Sequence, residues 1–266
     1  MSPVRNSPPQ RPFGRASAGA ISNGMSAIKL ISLNIEKDRH LDLVERFLRE
    51  QAADFVCLQE VYESSMPRIA EAFGGSFSRY IPMTKRSRET PPQVQGIGIF
   101  SRFPTEIDVR YYNRYGDSVP ESVDGEPATY NITNRPLVIC DVQKNGEHFG
   151  VGTTHFTWTP DSKASDEQRG DMHTMLDELE KLDDFALCGD FNAPRGGETF
   201  SMLAAKYKDA IPASYASSLD PNLHRAGHLQ IMVDGLFTTP GYSASDVRLQ
   251  FGLSDHAAIV ATISKA

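Results

Sequence analysis

Polar side chains that could carry out chemistry recur at the ends of apolar segments in this chain. The clearest example is FGLSDHAAIV at positions 251–260, where Asp255 and His256 come directly before a hydrophobic segment. Seven further candidates lie within, at or just past the ends of other apolar segments: Asn34, Glu36, Glu60, His155, Asp190, Asn192 and Asp234. If one fold gathers these acids, amides and imidazoles at a shared rim, they form a single candidate site.

The acids among these candidates indicate a bound cation. Five carboxylates in one place repel one another unless a cation or protons offset their charge. Oxygen ligands suit Mg²⁺, with Mn²⁺ as the alternative. Zinc is disfavoured because the histidines lack HExxH spacing and Cys57, Cys140 and Cys188 lie inside apolar runs. A hard cation beside acids and histidines suits phosphoester hydrolysis, in which an acid activates water and histidines contact the phosphoryl oxygens.

The elements that must position these residues begin with a βαβ unit. IKLISLN (28–34) and DFVCLQEV (54–61) predict strands, and the helix between them places Leu41, Val44 and Leu48 on one stripe. Such a unit pairs its two strands in parallel through a right-handed crossover.

The middle of the chain predicts mainly strands. Asn145-Gly146 between two apolar segments predicts a two-residue hairpin turn, because a type I′ turn needs positive φ at both positions. The predicted strands here are SRYIPM, QGIGIFSR, EIDVRYYN, RPLVICDVQ and EHFGVGTTHF.

A helix over about 166–182 and further strands follow. Ser165 and Gln168 have capping-box spacing, and the buried face of the helix is predicted to hold Met172, Leu176 and Leu179. The remaining segments predict the strand DFALCGD, the short helix ETFSMLAAKY and the strands QIMVDGLF and AAIVATI. This order predicts an α/β fold of two packed, mostly antiparallel β-sheets flanked by helices.

Composition limits the classes of protein to which the chain can belong. Residues 1–24 are rich in Pro, Ser, Gly and Arg and predict a disordered extension, so that 25–266 form one domain and Met25 is an alternative start. No apolar run is long enough for a bilayer, which predicts no membrane insertion. Three isolated cysteines in apolar runs favour buried thiols and the cytoplasm. We expect a monomer.

Charge argues against avid binding of polyanions. The first 24 residues hold three arginines and no acid, so 25–266 carry 24 basic against 34 acidic side chains, a net charge of −10. A nucleic-acid substrate would therefore need a local basic groove, because duplex binding rests on neutralising phosphates.

Six motifs carry a family resemblance. LNIE, LQEV, THF, GDFNAP, VDGLF and LSDH, in this order, resemble the endonuclease/exonuclease/phosphatase superfamily over about residues 29–263. The resemblance implies a DNase I-like, four-layer α/β/β/α sandwich and a metal-dependent phosphoesterase. GDFNAP and the helix DEQRGDMHTML look somewhat like the tyrosyl-DNA phosphodiesterase and sphingomyelinase-like branches, whose substrates differ widely.

For metal binding, the resemblance implies roles at four positions. Glu60 matches the main metal ligand, and Asn34 matches an Asn near metal and phosphate. Glu36 stands where several DNA-repair members have Asp. Asp255 matches the acid beside the metal.

For the reaction itself, the resemblance implies five further roles. Asp190 and Asn192 match the pair that positions the attacking water and the phosphate oxygens. His155 matches a phosphate-contacting histidine of the DNase and phosphatase branches. His256 matches the catalytic histidine, and Asp234 the acid that orients it.

Three other features are candidates for contacting substrate. Arg86 and Arg88 belong to TKRSRET, the one dense basic cluster in residues 25–266. The alternative is that this cluster is a solvated loop with no role in binding. His224 and Arg225 lie in the polar loop NLHRAGHLQ. Trp158 is the only tryptophan. We interpret it as a core residue in preference to a platform on which a base or ligand stacks.

The sequence thus predicts a hydrolase that cleaves phosphoester bonds by in-line attack of water. The substrate is left open among nucleic acids, phospholipids and sugar phosphates. The alternative is a catalytically silent binding module on the same fold, since a fold alone does not secure a function.

Overall fold

A computed structural model describes residues 26–266 of the chain. The predicted disorder of residues 1–24 and the alternative start at Met25 lie outside these residues.

The described part of the chain forms twelve strands and four α-helices, joined by loops and three short 3₁₀ turns. The strands are β1 (Ala27–Asn34), β2 (Phe55–Tyr62), β3 (Phe77–Arg86), β4 (Gln93–Ser101), β5 (Thr105–Asn113), β6 (Arg135–Lys144), β7 (Glu147–His155), β8 (Ala186–Asp190), β9 (Lys208–Asp209), β10 (Asp234–Thr238), β11 (Tyr242–Gln250) and β12 (Ala258–Lys265). The helices are α1 (Leu41–Gln51), α2 (Met66–Phe73), α3 (Asp166–Leu179) and α4 (Glu198–Ala204).

The strands form two six-stranded sheets. The first has the order β11-β12-β1-β2-β4-β3, and the second has the order β5-β6-β7-β8-β10-β9. Each sheet contains one parallel pair, β1 with β2 and β7 with β8, and its other pairs are antiparallel. The prediction of mostly antiparallel sheets is confirmed.

The two sheets pack face to face and helices cover their outer faces. Side chains such as Phe55 of the first sheet and Val151 of the second share one fully buried cluster. The opposite face of the first sheet packs against the stripe of α1 that includes Val44 and Leu48. The opposite face of the second sheet packs against α3 and α4. The structure therefore has the predicted four layers.

Local signals account for most element boundaries. Asn145 and Gly146 have φ of 54° and 81°, as the predicted hairpin turn requires. Ser165 caps α3 by accepting a hydrogen bond from the backbone N–H of Gln168 at 3.1 Å. The capping box itself is not formed, because the side chain of Gln168 is used elsewhere. In the part of the chain that the structure describes, no helix has the length and apolar character to cross a bilayer.

Some elements differ from the prediction. The strand predicted to run through Asp234 begins at that residue. The helix α2 and the strands β9 and β11 had not been predicted. The sequence of β11 is largely polar, because this edge strand leaves most of its side chains partly or fully exposed, and it therefore lacks an apolar run.

The sheet registers bring distant positions to one rim. The parallel pairs set Asn34 opposite Gln59 and His155 opposite Asp190. The antiparallel pairing of β10 with β8 sets the first residue of β10, Asp234, opposite Asp190 as well. Strand ends from both sheets thus deliver the candidate residues to the same edge of the sandwich.

The outer core of the second sheet generates a stability prediction. Phe237 is fully buried, and its ring lies 5.4 Å from that of Phe191 and 5.1 Å from that of Phe200, between centroids. We expect Phe237→Ala to lower the free energy of unfolding by about 3–5 kcal/mol in denaturant titrations, because it leaves a cavity. The control Tyr115→Ala, at a position 45% exposed, should change it by less than about 0.5 kcal/mol. A loss below about 1 kcal/mol at Phe237 would contradict this packing.

Candidate active site

Three residues from three other strands meet around the carboxylate of Asp190. The amide Nδ2 of Asn34 donates hydrogen bonds to Asp190 Oδ2 at 3.1 Å and to Glu60 Oε1 at 3.3 Å. The Nε2 atom of His155 lies 3.6 Å from Asp190 Oδ2 and 3.9 Å from Glu60 Oε1. Asp190 and Asn34 are buried. The site therefore lies where the ends of β1, β2, β7 and β8 converge.

His256 reaches the same carboxylate from the other side. Its Nδ1 lies 2.8 Å from Oδ2 of Asp234, and its Nε2 lies 3.9 Å from Asp190 Oδ2. A hydrogen bond at Nδ1 fixes the imidazole orientation and turns Nε2 toward the centre of the site. Asp234 is held in turn by the hydroxyl of Ser218, which accepts the backbone N–H groups of Val233 and Asp234, each at 3.1 Å.

The two histidines carry opposite protonation states. Burial lowers the pKa of His155 to about 3, against the opposing charge of Asp190, so its imidazole is neutral. Burial alone also lowers the pKa of His256, but the charges of Asp234 and Asp190 raise it well above its usual value, so this imidazole is charged. Burial raises the pKa of Asp190. The site therefore places a carboxylate of raised pKa beside one neutral and one charged ring.

Asp190 and Asn192 form a tight turn directly after β8. The backbone N–H of Asn192 donates to Asp190 Oδ1 at 2.8 Å, and Asn192 itself has φ of 48°. Its Nδ2 donates to the carbonyl oxygen of Phe156 at 2.9 Å. The turn occupies one oxygen of Asp190 and leaves the other facing Asn34 and the histidines.

Strained backbone surrounds the acidic part of the site. Glu36 and Glu60 have φ of 48° and 59°, values that non-glycine residues adopt at a cost of about 1–3 kcal/mol. Glu60 lies in β2 where its register with β4 shifts, between Leu58 and Val61. A bulge of this kind re-aims a side chain, here toward the shared rim.

Two of the predicted metal-binding acids act electrostatically on a third, Glu36. Burial raises the pKa of Glu36, and the charges of Asp255 and Glu60 raise it further. Oε2 of Glu36 is buried and has no hydrogen-bond partner among the described residues. The other oxygen, Oε1, accepts a hydrogen bond from Arg39 at 2.7 Å, and His40 Nε2 lies 3.7 Å from Oε2. A buried carboxylate oxygen that lacks a hydrogen bond and feels the charges of two further acids suits a hard divalent ion.

Asn34 is placed differently from a metal ligand. Its Oδ1 accepts the backbone N–H of Glu36 at 3.1 Å, so that Nδ2 faces Glu60 and Asp190. In this orientation the amide holds the two carboxylates in place. Oδ1 could bind a cation only if the side-chain amide flipped and its hydrogen bond with the backbone N–H of Glu36 broke.

A second group could also bind a metal. Ligand atoms of Asp190, Asp234 and His256 lie within 4.8 Å of one another. We favour the group of Glu36, Glu60 and Asp255, because Asp234 and His256 already bond to each other and the imidazole is charged.

The predicted substrate residues are placed unequally. Arg86 is mostly buried and pairs with Asp124, Nη1 to Oδ1 at 3.0 Å, and its charge contributes to the lowered pKa of His155. Arg88 is 71% exposed on its side chain and pairs with Glu126. Arg86 therefore belongs to the rim, and Arg88 points into solvent.

The other two candidate regions also differ in exposure. Burial lowers the pKa of His224, and the charges of Asp255 and His256 act on it, so this half-buried ring lies beside the site. Arg225 is exposed. Trp158 is half-buried and packs edge-on against Tyr130, with ring centroids 5.1 Å apart.

Several residues that support the site carry only weak signals in the sequence. Arg135 is buried and donates from Nη1 to the carbonyl oxygens of His155 and Phe156, at 3.0 and 2.9 Å. Its signal was an arginine opening an apolar strand, where burial needs dedicated acceptors. Gln168 donates from Nε2 to the carbonyl oxygens of Thr157 and Asn192, at 2.8 and 3.2 Å.

Asp220 is a further supporting residue that the sequence did not single out. Its Oδ2 accepts the backbone N–H of Gly252 at 2.7 Å, and its own N–H donates to the carbonyl oxygen of Asp255 at 2.8 Å. Its carbonyl oxygen accepts the N–H of His224 at 3.0 Å. This buried acid thus joins the loop of His224 to the loop that carries Asp255 and His256. An Asp followed by Pro in a polar loop is too common to have marked it.

Comparison with known proteins agrees with the family resemblance and with the fold. A model of the endonuclease/exonuclease/phosphatase family matches residues 31–257. No curated protein sequence matches the chain.

Solved structures share the fold at low sequence identity. An endonuclease/exonuclease/phosphatase from Bacteroides vulgatus has a TM-score of 0.66 at 16% identity, covering 91% of this chain and 100% of its own. The human Nocturnin catalytic domain with bound sulfate has a TM-score of 0.63 at 15% identity, and the match covers 90% of this chain and 95% of that domain. A mannosyl-6-phosphatase from Bacteroides thetaiotaomicron has a TM-score of 0.62 at 12% identity, and the match covers 90% of this chain and 99% of that protein. At such identities the likeness shows the fold alone.

The two possible cation groups generate opposite predictions. We expect Glu60→Gln to weaken Mn²⁺ binding at least about tenfold in isothermal titration calorimetry, because it removes a charged ligand. Asp234→Asn should leave the affinity within about threefold. The matched control Glu63→Gln, an exposed acid three residues along, should have no effect. The reverse pattern, with Asp234→Asn abolishing binding, would move the ion to the group containing His256.

Proposed function

Because the chain belongs to the endonuclease/exonuclease/phosphatase family, we propose that it is a Mg²⁺-dependent phosphoesterase in which water attacks phosphorus in line. The observation that carries the proposal is the buried carboxylate of Asp190, held between the amide of Asn34 and the rings of His155 and His256. Residues 25–266 would form one catalytic domain, acting as a monomer in the cytoplasm.

Asp190 is the proposed general base. Its Oδ1 is occupied by the turn at Asn192, and Oδ2 faces the centre of the site. Burial raises its pKa, which brings the carboxylate closer to the basicity that proton abstraction from water needs. The water would attack phosphorus directly, so no covalent bond to the enzyme forms.

His256 would stabilise the charge that develops on the phosphoryl oxygens. Its Nδ1 is held by Asp234, and its Nε2 proton is directed into the site. A charged donor fixed before the reaction stabilises a developing anion more than mobile water does. His155, neutral, and Asn192 would contact the remaining phosphoryl oxygens.

Glu60, with Glu36 and Asp255 beside it, would hold Mg²⁺, or Mn²⁺ in its place. When bound, the ion supplies charge neutralisation at the phosphoryl and leaving-group oxygens. Asn34 would keep Glu60 and Asp190 apart and correctly oriented, and would join the ligand set only if its amide turned over.

The substrate stays open among nucleic acids, phospholipids and sugar phosphates. One structural neighbour is named as a mannosyl-6-phosphatase, at 12% identity, which supports a phosphoester without selecting one. The net charge of −10 over residues 25–266 disfavours avid duplex binding. Arg86, His224 and Trp158 are the proposed substrate contacts at the rim, with Arg88 and Arg225 farther out.

Removing either proposed central acid tests the function. We expect Glu60→Ala and Asp190→Ala each to lower kcat/KM on bis(p-nitrophenyl) phosphate by at least about 10²–10⁴-fold. Circular dichroism spectra should be unchanged, because both side chains lie at the rim. The control Glu71→Ala, an exposed acid on α2, should retain full activity. Full activity in both test variants would refute the assignment, and no turnover by the wild type would favour a silent binding module.

The Asp234–His256 pair generates a separate prediction. Asp234→Asn keeps the shape of the side chain but removes the charge that raises the pKa of His256. We expect kcat to fall by about 10²–10⁴-fold with little change in the melting temperature. An unchanged kcat would show that His256 does not act in its charged form.

Metal removal tests the proposed cofactor. Dialysis against EDTA should abolish hydrolysis, and Mg²⁺ should restore it. Saturating Mg²⁺ should also stabilise the protein by about 2.7 kcal/mol at a hundredfold excess over Kd, because the ion binds only the folded state. Undiminished hydrolysis in EDTA would contradict a metal-dependent reaction.

A further inference from the structure

Two mostly buried cations beside the proposed active site share one carboxylate. Lys37 Nζ pairs with Asp124 Oδ2, and Arg86 Nη1 lies 3.0 Å from Asp124 Oδ1. The exposed fractions of the side chains are 11% for Lys37, 13% for Arg86 and 48% for Asp124. Lys37 also lies 3.9 Å from Glu89, which accepts a hydrogen bond from Tyr62. The cations are thus fixed and poorly hydrated, whereas their shared partner is open to solvent.

The backbone directs Lys37 inward at a cost. Glu36 and Lys37 have φ of 48° and 69°, so two successive non-glycine residues adopt the left-handed region. A surface ion pair would not need this strain, since exposed lysines reach their partners from ordinary backbone. Strained backbone clusters at functional sites, which makes the cation pair a candidate for binding.

The cation pair adjoins the proposed catalytic centre. Lys37 directly follows Glu36, and its charge acts on the carboxyl of Glu36. The charge of Arg86 contributes to the lowered pKa of His155. A substrate bound at Asp190 and His155 would therefore place its neighbouring groups within reach of the pair.

Asp124 can leave this position without unfolding its loop. The loop between β5 and β6 is anchored before Asp124, where Lys85 N–H donates to the carbonyl oxygen of Pro120 at 2.7 Å and Ser122 N–H donates to that of Lys85 at 3.1 Å. The loop is also anchored after Asp124, where Gly125 N–H donates to Tyr130 Oη at 3.0 Å, so that the backbone can stay in place while the side chain moves. Rotation of the half-exposed side chain is enough to free both cations.

We propose that Lys37 and Arg86 form a second anion site, which binds a phosphate group of the substrate other than the one that is cleaved. In the free protein the carboxylate of Asp124 occupies this site and the substrate displaces it. The inference rests on the proposed phosphoesterase function and narrows its substrates to those carrying a second phosphate. The source is a small bisphosphate or the adjacent phosphate of a nucleotide chain.

The charges of the cluster favour this exchange. Asp124 brings one negative charge to two cations, whereas a phosphate monoester brings up to two charges and three acceptor oxygens. An arginine fork and a lysine ammonium match phosphate oxygens at least as well as they match a carboxylate. Glu89, the other acid near Lys37, accepts a hydrogen bond from Tyr62 and does not need to move when a phosphate binds.

Calorimetric binding of propane-1,3-diol bisphosphate and of propyl phosphate tests the proposal. All measurements use the Asp190→Asn background with Mg²⁺, so that no ligand is consumed. Asp124→Asn should tighten binding of the bisphosphate by about five- to tenfold, since displacement no longer opposes it, and should leave propyl phosphate unchanged. The matched control Glu126→Gln, which removes a carboxylate from the same loop, should change neither affinity. Lys37→Met, if its melting temperature stays near that of the parent, should weaken the bisphosphate only.

The outcomes separate this proposal from the proposed function. Equal effects of Asp124→Asn on both ligands, or no bisphosphate binding in that variant, would overturn the second anion site. Catalysis is measured independently with bis(p-nitrophenyl) phosphate, which has no second phosphate, and the control Glu126→Gln should leave that rate unchanged. A 5′-phosphorylated oligothymidylate that binds tighter than the bisphosphate, with the same dependence on Lys37, identifies a nucleotide chain as the source. Weaker binding of the oligonucleotide identifies a small bisphosphate.

Discussion

The burial of one carboxylate, that of Asp190, is the constraint on which the rest of the site depends. A buried charge is tolerated only when it is surrounded by donors. Asn34 and the turn at Asn192 supply hydrogen bonds, and the ring of His256, 3.9 Å away, supplies an opposite charge. The same negative charge, added to that of Asp234, keeps His256 protonated, whereas burial keeps His155 neutral. The charge of His256 therefore depends on Asp234 and Asp190 together, whereas the neutral state of His155 follows from its burial.

The fold delivers that constraint by simple strand geometry. One parallel pair in each sheet brings strand ends to a common edge, and the antiparallel β10 begins where β8 ends. Positive φ at Glu36, Glu60 and Asn192 then aims side chains that regular strands would point elsewhere. The stability of two packed sheets and their helices offsets this local strain. Beside the site, Lys37 and Arg86 pair with the carboxylate of Asp124.

The sequence was sufficient for the layers and for the positions of the candidate residues. Apolar periodicity indicated the central strands, and the Asn145-Gly146 turn indicated the hairpin, because both signals are local. It was not sufficient for β11, whose polar exposed edge carries no apolar pattern. The supporting roles of Arg135 and Asp220 were also out of reach, because they depend on carbonyl oxygens and N–H groups that only the tertiary fold brings near.

The stereochemical course of hydrolysis tests the central claim most directly, namely that water activated by Asp190 attacks phosphorus in a single in-line step. The measurement uses a phosphodiester made chiral at phosphorus by sulfur substitution, with hydrolysis in ¹⁸O-labelled water and analysis of the product by ³¹P NMR. The account predicts inversion of configuration at phosphorus. Retention of configuration would require two displacements, and therefore a covalent enzyme intermediate, and would contradict it.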